Sequence, residues 1–251
     1  MLWDALKLNQ ASVVACVGAG GKTSLIQSLA VQAGGRSWPG LVTATTKMFY
    51  SQVEGYELVL SHECFAGITA VVKAFQTGKT AAWFAGRDNE KVLGLPLAWL
   101  DSMAAEAPYA RILIEADGAR QCLLKAPAVH EPLIPACTAA TVGVLNMNAI
   151  GRPLSETNTH RLKLVSNIIN KQAGETIGWQ DLALLAAHSQ GIFQYAQGTK
   201  ILLLSGAVAT TDRLAARKFA DCSELAGAGI ARVAVTKGYG CTMRPIEVYE
   251  L

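Results

Sequence analysis

The sequence predicts an α/β fold: a mainly parallel sheet with helices on both faces and a small helical insertion. Three observations point there. Short apolar runs alternate with helical stripes along the chain, the order expected of strands joined by crossover helices. Half of the composition is hydrophobic (51%) with few aromatics, and Ala, Leu, Val and Gly dominate, which suits helices packed on a sheet buried on both faces. A glycine-rich segment joins the first apolar run to the first helical stripe.

Residues 12–17, Ser-Val-Val-Ala-Cys-Val, form an apolar run that ends in glycines and reads as a buried strand. Residues 23–33 carry Leu25, Ile26, Leu29 and Ala30 on one stripe, and Gly34-Gly35 stops the helix. Leu41-Val42-Thr43 is the second strand, residues 65–75 a helix, residues 80–84 a strand and residues 97–105 a helix. Arg111-Ile112-Leu113-Ile114 is the next strand, and a Pro-rich loop occupies residues 125–135. Residues 141–145 resume strand character, and helical patterns follow at 160–169 and 179–187. Residues 200–204 and 232–235 are the last two core strands, with a helix at 212–225 between them. The 251 residues suit a single α/β domain, with residues 151–198 as a helical subdomain inside it.

The balance of 22 basic and 19 acidic residues gives a net charge of +3, too mild for a nucleic-acid backbone partner. The six cysteines show neither a C-x-x-C pair nor zinc-finger spacing, so they read as reduced, mostly buried thiols. The first seven residues lack a basic segment followed by an apolar core, and no apolar run approaches the roughly 20 residues that cross a bilayer. A cytoplasmic location without membrane attachment is the expectation, and the oligomeric state is left open.

Gly18-Ala19-Gly20-Gly21-Lys22-Thr23-Ser24 follows a strand and opens a helix. Glycines there let backbone N–H groups turn inward around an anion, and the helix start adds free donors and partial positive charge. In a phosphate loop (P-loop) Lys22 reaches the β- and γ-phosphates and the Thr23 hydroxyl ligates Mg²⁺. The match to G-x-x-x-x-G-K-S/T is imperfect, because Cys16 stands where the first glycine belongs. A second triplet, Gly78-Lys79-Thr80, follows a helix and precedes a strand. That order cannot cradle phosphate, so it reads as a turn with a solvated lysine.

Companion motifs lie at other strand ends. Thr45, Thr46 and Lys47 end the second strand, where hydroxyls and an ammonium can meet phosphate, metal or a second substrate, or merely cap a helix. Residues 112–118, Ile-Leu-Ile-Glu-Ala-Asp-Gly, resemble a Walker B strand. Glu115 and Asp117 point to the same side of an extended segment, so one can hold Mg²⁺ while the other orients water or an acceptor. Lys125, His130 and Glu131 sit in the Pro-stiffened loop, where they can bind an acidic group or transfer protons. Arg161 is a phosphate-contact candidate or an ordinary surface arginine. Cys122 lies near the acidic motif, but packing explains it better than thiol chemistry. The turn at 236–240 can border a base or ribose, although a β-turn is the simpler account. No N-K-x-D signature follows an apolar strand, so the sequence does not choose between ATP and GTP.

Together these segments resemble the YqeC family, described as accessory proteins of selenium-dependent hydroxylases. The similarity is carried by VGAGGKTSL (17–25), VTATTKMF (42–49) and IEADGARQCLLKAPAVHEPLIP (114–135). Weaker support comes from IGRPLSETNTHR (150–161) and VTKGYG (235–240). The resemblance implies a P-loop nucleotide-binding fold, an ATP or GTP ligand with Mg²⁺, and a role in maturing a selenium-dependent molybdenum hydroxylase. It places Lys22, Thr23, Thr45, Thr46, Lys47, Glu115, Asp117, Lys125, His130 and Glu131 on the family's characteristic positions. Ala44 departs from the threonine usual there. The expected mechanism has Lys22 neutralising phosphate, Thr23 and Asp117 holding Mg²⁺, and Glu115 or His130 assisting proton transfer. Other readings are a nucleotide-gated switch that binds the apo-hydroxylase and a non-catalytic carrier of a phosphorylated cofactor such as molybdopterin.

Overall fold

The computed structural model describes residues 1–207 and 210–251; the side chains of 208–214 lie outside the description. Among the described residues, nine strands form the main sheet. They are β1 (Val13–Gly18), β2 (Gly40–Ala44), β3 (Glu57–Leu60), β4 (Ala81–Phe84), β5 (Arg111–Glu115), β6 (Ala140–Asn146), β7 (Thr199–Ser205), β8 (Ile230–Lys237) and β9 (Arg244–Glu250). Their spatial order is β9-β8-β7-β6-β1-β5-β2-β4-β3. Every neighbouring pair is parallel except β8–β9.

That order has one consequence for function. Strands β2 to β5 all lie on one side of β1, and β6 to β9 all lie on the other. The chain therefore reverses direction at β1, and the crevice at such a reversal, beyond the carboxyl ends of the strands, is where open α/β sheets bind ligands.

The strands run apolar because both faces are covered. On β1, Val14 and Cys16 face the helix Lys22–Gly34, packing with Leu25, Ile26 and Leu29. The alternate residues Val13, Ala15 and Val17 belong to the cluster built by the helices Cys64–Gln76 and Leu97–Glu106. Farther along the sheet, Leu202, Leu204 and Val233 share a cluster with Val165, Ile169, Leu182 and Leu185 of the helices Leu162–Ile169 and Trp179–Ala187.

The expected strands and helices are present, with boundaries moved by one or two residues. The predicted helix at 212–225 is instead two helices, Thr210–Ala220 and Ser223–Gly227. Both edge strands depart from expectation. The strand β3 is short and half-buried, so its apolar run is weak. The strand β9 starts beside Pro245 and alternates polar and apolar residues along a partly exposed edge, a pattern unlike the buried runs of the centre. A small three-stranded sheet (Met48–Phe49, Gly86–Asp88 and Lys91–Leu93) was also not foreseen. Lys79 of the second G-K-T triplet is exposed and pairs with Glu57 at 3.0 Å, in a turn away from the crevice.

The helix Cys64–Gln76 approaches the sheet through a glycine. A Cβ on Gly67 would lie 2.1 Å from the indole of Trp83, whose ring stacks on Trp99 at 5.9 Å. Gly67→Ala is expected to cost about 1–3 kcal/mol of stability through this overlap. Thermal unfolding checks it, and an unchanged midpoint would mean that helix and ring separate freely.

Candidate functional site

The loop that leaves β1 is shaped by two glycines. Gly18 has φ +91° and Gly20 φ +73°. A Cβ on Gly18 would lie 2.3 Å from the Val144 carbonyl oxygen, and one on Gly20 would lie 2.5 Å from the Cβ of Asn146. The left-handed backbone and the lack of space each require glycine. Neighbouring strand ends then fix the loop. Ala19 N–H donates to Val144 O at 2.9 Å, and the Gly20 carbonyl accepts from Asn146 Nδ2 and Ser205 Oγ, each at 2.7 Å. No side-chain cap reaches the start of the helix Lys22–Gly34, which leaves its first N–H groups for an anion.

Behind the loop stands a ladder of alternating charges. Thr23 Oγ1 donates to Glu115 Oε2 at 2.9 Å, and Gln52 Nε2 donates back to Thr23 Oγ1 at 3.2 Å. Lys22 Nζ lies 4.0 Å from Glu115 Oε1 and 3.0 Å from Asp117 Oδ1, and it donates to the Gly18 carbonyl at 2.7 Å. The other oxygen of Asp117 contacts Lys125 Nζ at 2.8 Å and accepts from Gly18 N–H at 3.1 Å. Lys125 also donates to Gly118 O at 2.8 Å and pairs with Glu131 at 3.1 Å. Arg161 closes the ladder with a two-pronged grip on Glu131, both bonds 2.7 Å long.

Burial decides how this ladder behaves. Lys22 is 4%, Asp117 1% and Lys125 0% exposed. A charge so far from water survives only when opposite charge and hydrogen bonds compensate its lost hydration. Burial pulls the Lys22 pKa down, but Asp117 and Glu115 outweigh it, so the net shift is upward and the ammonium persists. Burial raises the Glu115 pKa despite the opposing pull of Lys22 and Thr23. Burial also works against the Glu131 carboxylate, yet the Arg161 hydrogen bonds and Lys125 hold its pKa at about 2. His160, beside Lys125 across a two-residue bridge, falls to about 4 through burial and then the repulsion of Arg161 and Lys125.

A cavity of about 290 Å³ opens above the loop. Gly20, Gly21, Lys22, Thr23 and Ser24 form one wall, with Glu115 behind them. Lys47, Phe49, Lys91 and Arg120 form the outer wall. Lys47 is exposed and pairs with Asp88 at 2.8 Å.

The other sequence candidates sit elsewhere. Gly18 and Ala19 are buried beneath the loop as its hinge. Thr45 is buried and donates to Leu133 O at 2.8 Å, so it pins the Pro-rich loop to the sheet. Thr46 is half-buried and outside the cavity lining. Lys125, Glu131 and Arg161 belong to the ladder and not to the cavity wall. His130 is exposed, away from that wall. Thr23 is joined to Glu115, whereas Asp117 is occupied by two lysines, so the hydroxyl–carboxylate pair differs from the Thr23–Asp117 pair expected for Mg²⁺. Burial raises the Cys122 thiol pKa, which leaves no activated thiolate there.

Asn146, Ser205 and Gln52 went unnoticed in the sequence. Each is an ordinary polar residue whose importance comes from a partner 29 to 185 positions away. Asn146 and Ser205 do carry one local signal: each is the polar end of an apolar strand.

The family described as YqeC protein matches residues 14–163. The YqeC protein of Escherichia coli (strain K12) is 33% identical over 190 residues, covering 73% of this chain and 70% of that one. The chain belongs to the YqeC family. No solved structure matches it. The stretch matched by the YqeC family runs from β1 to just past Arg161, so it spans every rung of the charge ladder.

Asp117→Ala leaves two buried ammonium groups without their shared partner and is expected to destabilise the fold by about 3–5 kcal/mol. Urea unfolding measures it, with Asp117→Asn expected to lose less. Glu131 binds its proton more weakly folded than unfolded, so it adds stability that is complete above its ordinary value of 4.5 and is lost as pH falls toward about 2. The stability gap between wild type and Glu131→Gln should therefore narrow across that window, and a gap independent of pH would contradict this assignment.

Proposed function

We propose that the chain binds Mg-ATP or Mg-GTP on the loop at residues 18–23 and consumes it while a selenium-dependent molybdenum hydroxylase matures. One observation carries the reading: Lys22 and Thr23, at an uncapped helix start, lie against Glu115 in the wall of an open cavity at the point where the sheet reverses. Glycine-shaped backbone, helix start, lysine, hydroxyl and carboxylate together match what a nucleotide phosphate chain with its cation requires.

The donor set suits magnesium. A hydroxyl and a carboxylate, 2.9 Å apart and bordering a cavity with room for water and phosphate oxygens, are the hard oxygen ligands this ion takes. Thr23 and Glu115 would hold it, and bound Mg²⁺ would neutralise phosphate charge. Asp117 then acts by holding Lys22 beneath the phosphates. Because burial raises the Glu115 pKa, its carboxylate is lost as pH falls through that raised value, and cation binding should weaken there first. His130 takes no proton-transfer role here, being exposed and outside the cavity.

A switch is the second reading, favoured by the ladder itself. It joins Lys22 to Arg161, the residue that opens the helix Leu162–Ile169, through Asp117, Lys125 and Glu131. A phosphate that drew Lys22 away from Asp117 would alter the charge on every later rung. This version implies slow hydrolysis and nucleotide-dependent binding of the apo-hydroxylase.

Calorimetric titration of Mg-ATP and Mg-GTP into wild type, Lys22→Ala and Thr23→Ala tests the proposal. Micromolar binding, about −8 kcal/mol, is expected for one nucleotide in wild type. Lys22→Ala should weaken it by about 2 kcal/mol or more, as expected for a lost charged hydrogen bond, and Thr23→Ala should remove its dependence on Mg²⁺. Absence of binding by both nucleotides, or equal binding by Lys22→Ala, would sink the reading and turn attention to molybdopterin.

A further inference from the structure

A second cavity, about 510 Å³, adjoins the first at Gln121, which lines both. It lies over the carboxyl end of β6, on the side of β1 away from Glu115, and its wall includes Asn146, Asn148, Arg152, Asn158 and Tyr239. We infer that this cavity receives the nucleoside of the nucleotide whose phosphates lie on residues 18–23. The inference rests on the phosphate-loop reading and adds where the rest of the ligand goes and what recognises it.

Chemistry separates the two cavities. The first is lined by Lys22, Lys47, Lys91 and Arg120 against one carboxylate, Glu115, which suits phosphate. The wall of the second, among the described residues, holds no carboxylate and one cation, Arg152. Its remaining polar groups are amides, hydroxyls and a phenol. Asn146 and Asn158 engage both sides of their amides within the protein, so among the described residues the Gln121 amide and the Asn148 Oδ1 are the groups that can offer a donor and acceptors to the edge of a heterocyclic base. A flat aromatic face completes a base site, and Tyr239, a residue 57% exposed, supplies one.

A continuous line of hydrogen bonds sets this site against the phosphate loop. Asn146 Nδ2 holds the Gly20 carbonyl at 2.7 Å. Asn146 Oδ1 accepts from Asn148 N–H at 2.9 Å, and Asn148 Nδ2 donates to Tyr239 Oη at 3.2 Å. The phenol is thereby positioned by the residue that shapes the loop. Gly206 keeps the line clear, since a Cβ there would lie 2.8 Å from both amides. At the junction, Arg120 and Gln121 are consecutive non-glycine residues with φ of 47° and 61°. Such backbone persists where its surroundings enforce it, and here it carries the Gln121 side chain to the rim shared by both cavities.

The ligand described is elongated, with phosphates at one end and a flat, uncharged heterocycle at the other. Calorimetric titration of Mg-tripolyphosphate, Mg-ATP and Mg-GTP into the full chain separates the two ends. One nucleotide should bind about tenfold or more tighter than tripolyphosphate, the contribution expected of base stacking and edge contacts. Tyr239→Ala, at an exposed position, should erase about tenfold of that advantage and leave tripolyphosphate binding unchanged, and Tyr239→Phe should keep most of it. Equal affinity for tripolyphosphate and both nucleotides, or a Tyr239→Ala loss that affects all three alike, overturns this inference and leaves the phosphate loop standing. Absence of binding by all three overturns both.

Discussion

A carboxylate held between two lysine ammonium groups, all three shut off from water, organises the carboxyl end of the sheet in this molecule. Asp117 contacts Lys22 on one oxygen and Lys125 on the other, and it accepts the Gly18 N–H besides. Three pieces of chain far apart in sequence therefore meet at one side chain: the loop after β1, the end of the acidic motif and the Pro-rich segment. Coulombic attraction grows as the effective dielectric falls, and so does the cost of leaving any of these charges alone. The arrangement is consequently all or nothing, and the loop, the acidic motif and the Pro-rich segment hold one another in place.

The sheet provides the frame for that contact. Because β1 stands where the chain reverses, its carboxyl end is flanked by Glu115 of β5 on one side and by Asn146 of β6 on the other. The flanks have opposite chemistry. Carboxylate and ammonium groups gather on the β5 side, and neutral amides on the β6 side. One crevice thus has a half dense in charge and a half that is mostly neutral, with Arg152 its one cation among the described residues, a division that follows from strand order.

The centre of the fold was legible because its physics is local. A strand covered on both faces must be apolar along its length, so β1, β5, β6 and β7 announce themselves as runs. The strands β3 and β9 stayed hidden because an edge strand has water on one side and needs no such run. The glycine loop was legible for the same reason as the central strands: Gly18 and Gly20 occupy a backbone that penalises any side chain. Glu115 and Asp117 were correctly expected to face one way, since alternate residues of an extended segment do, and both turn toward Lys22. Their division of labour was not legible. Asp117 looks like the metal ligand in a linear motif, but burial and two lysines commit it elsewhere, while Thr23 finds Glu115.

The sequence by itself determined the α/β class, the strand–loop–helix that carries Lys22 and Thr23, and membership of the acidic and Pro-rich segments in one family pattern. These are statements about neighbours along the chain, where the backbone's conformational limits and hydrophobic period act over a few residues. Only the tertiary structure decided that Lys125, Glu131 and Arg161 form an inward ladder and not a ligand wall, that Asn146 and Ser205 clasp Gly20, and that His130 stands apart. Those outcomes depend on which strand ends lie side by side and on how far each charge sits from water, and neither quantity exists until the sheet has closed.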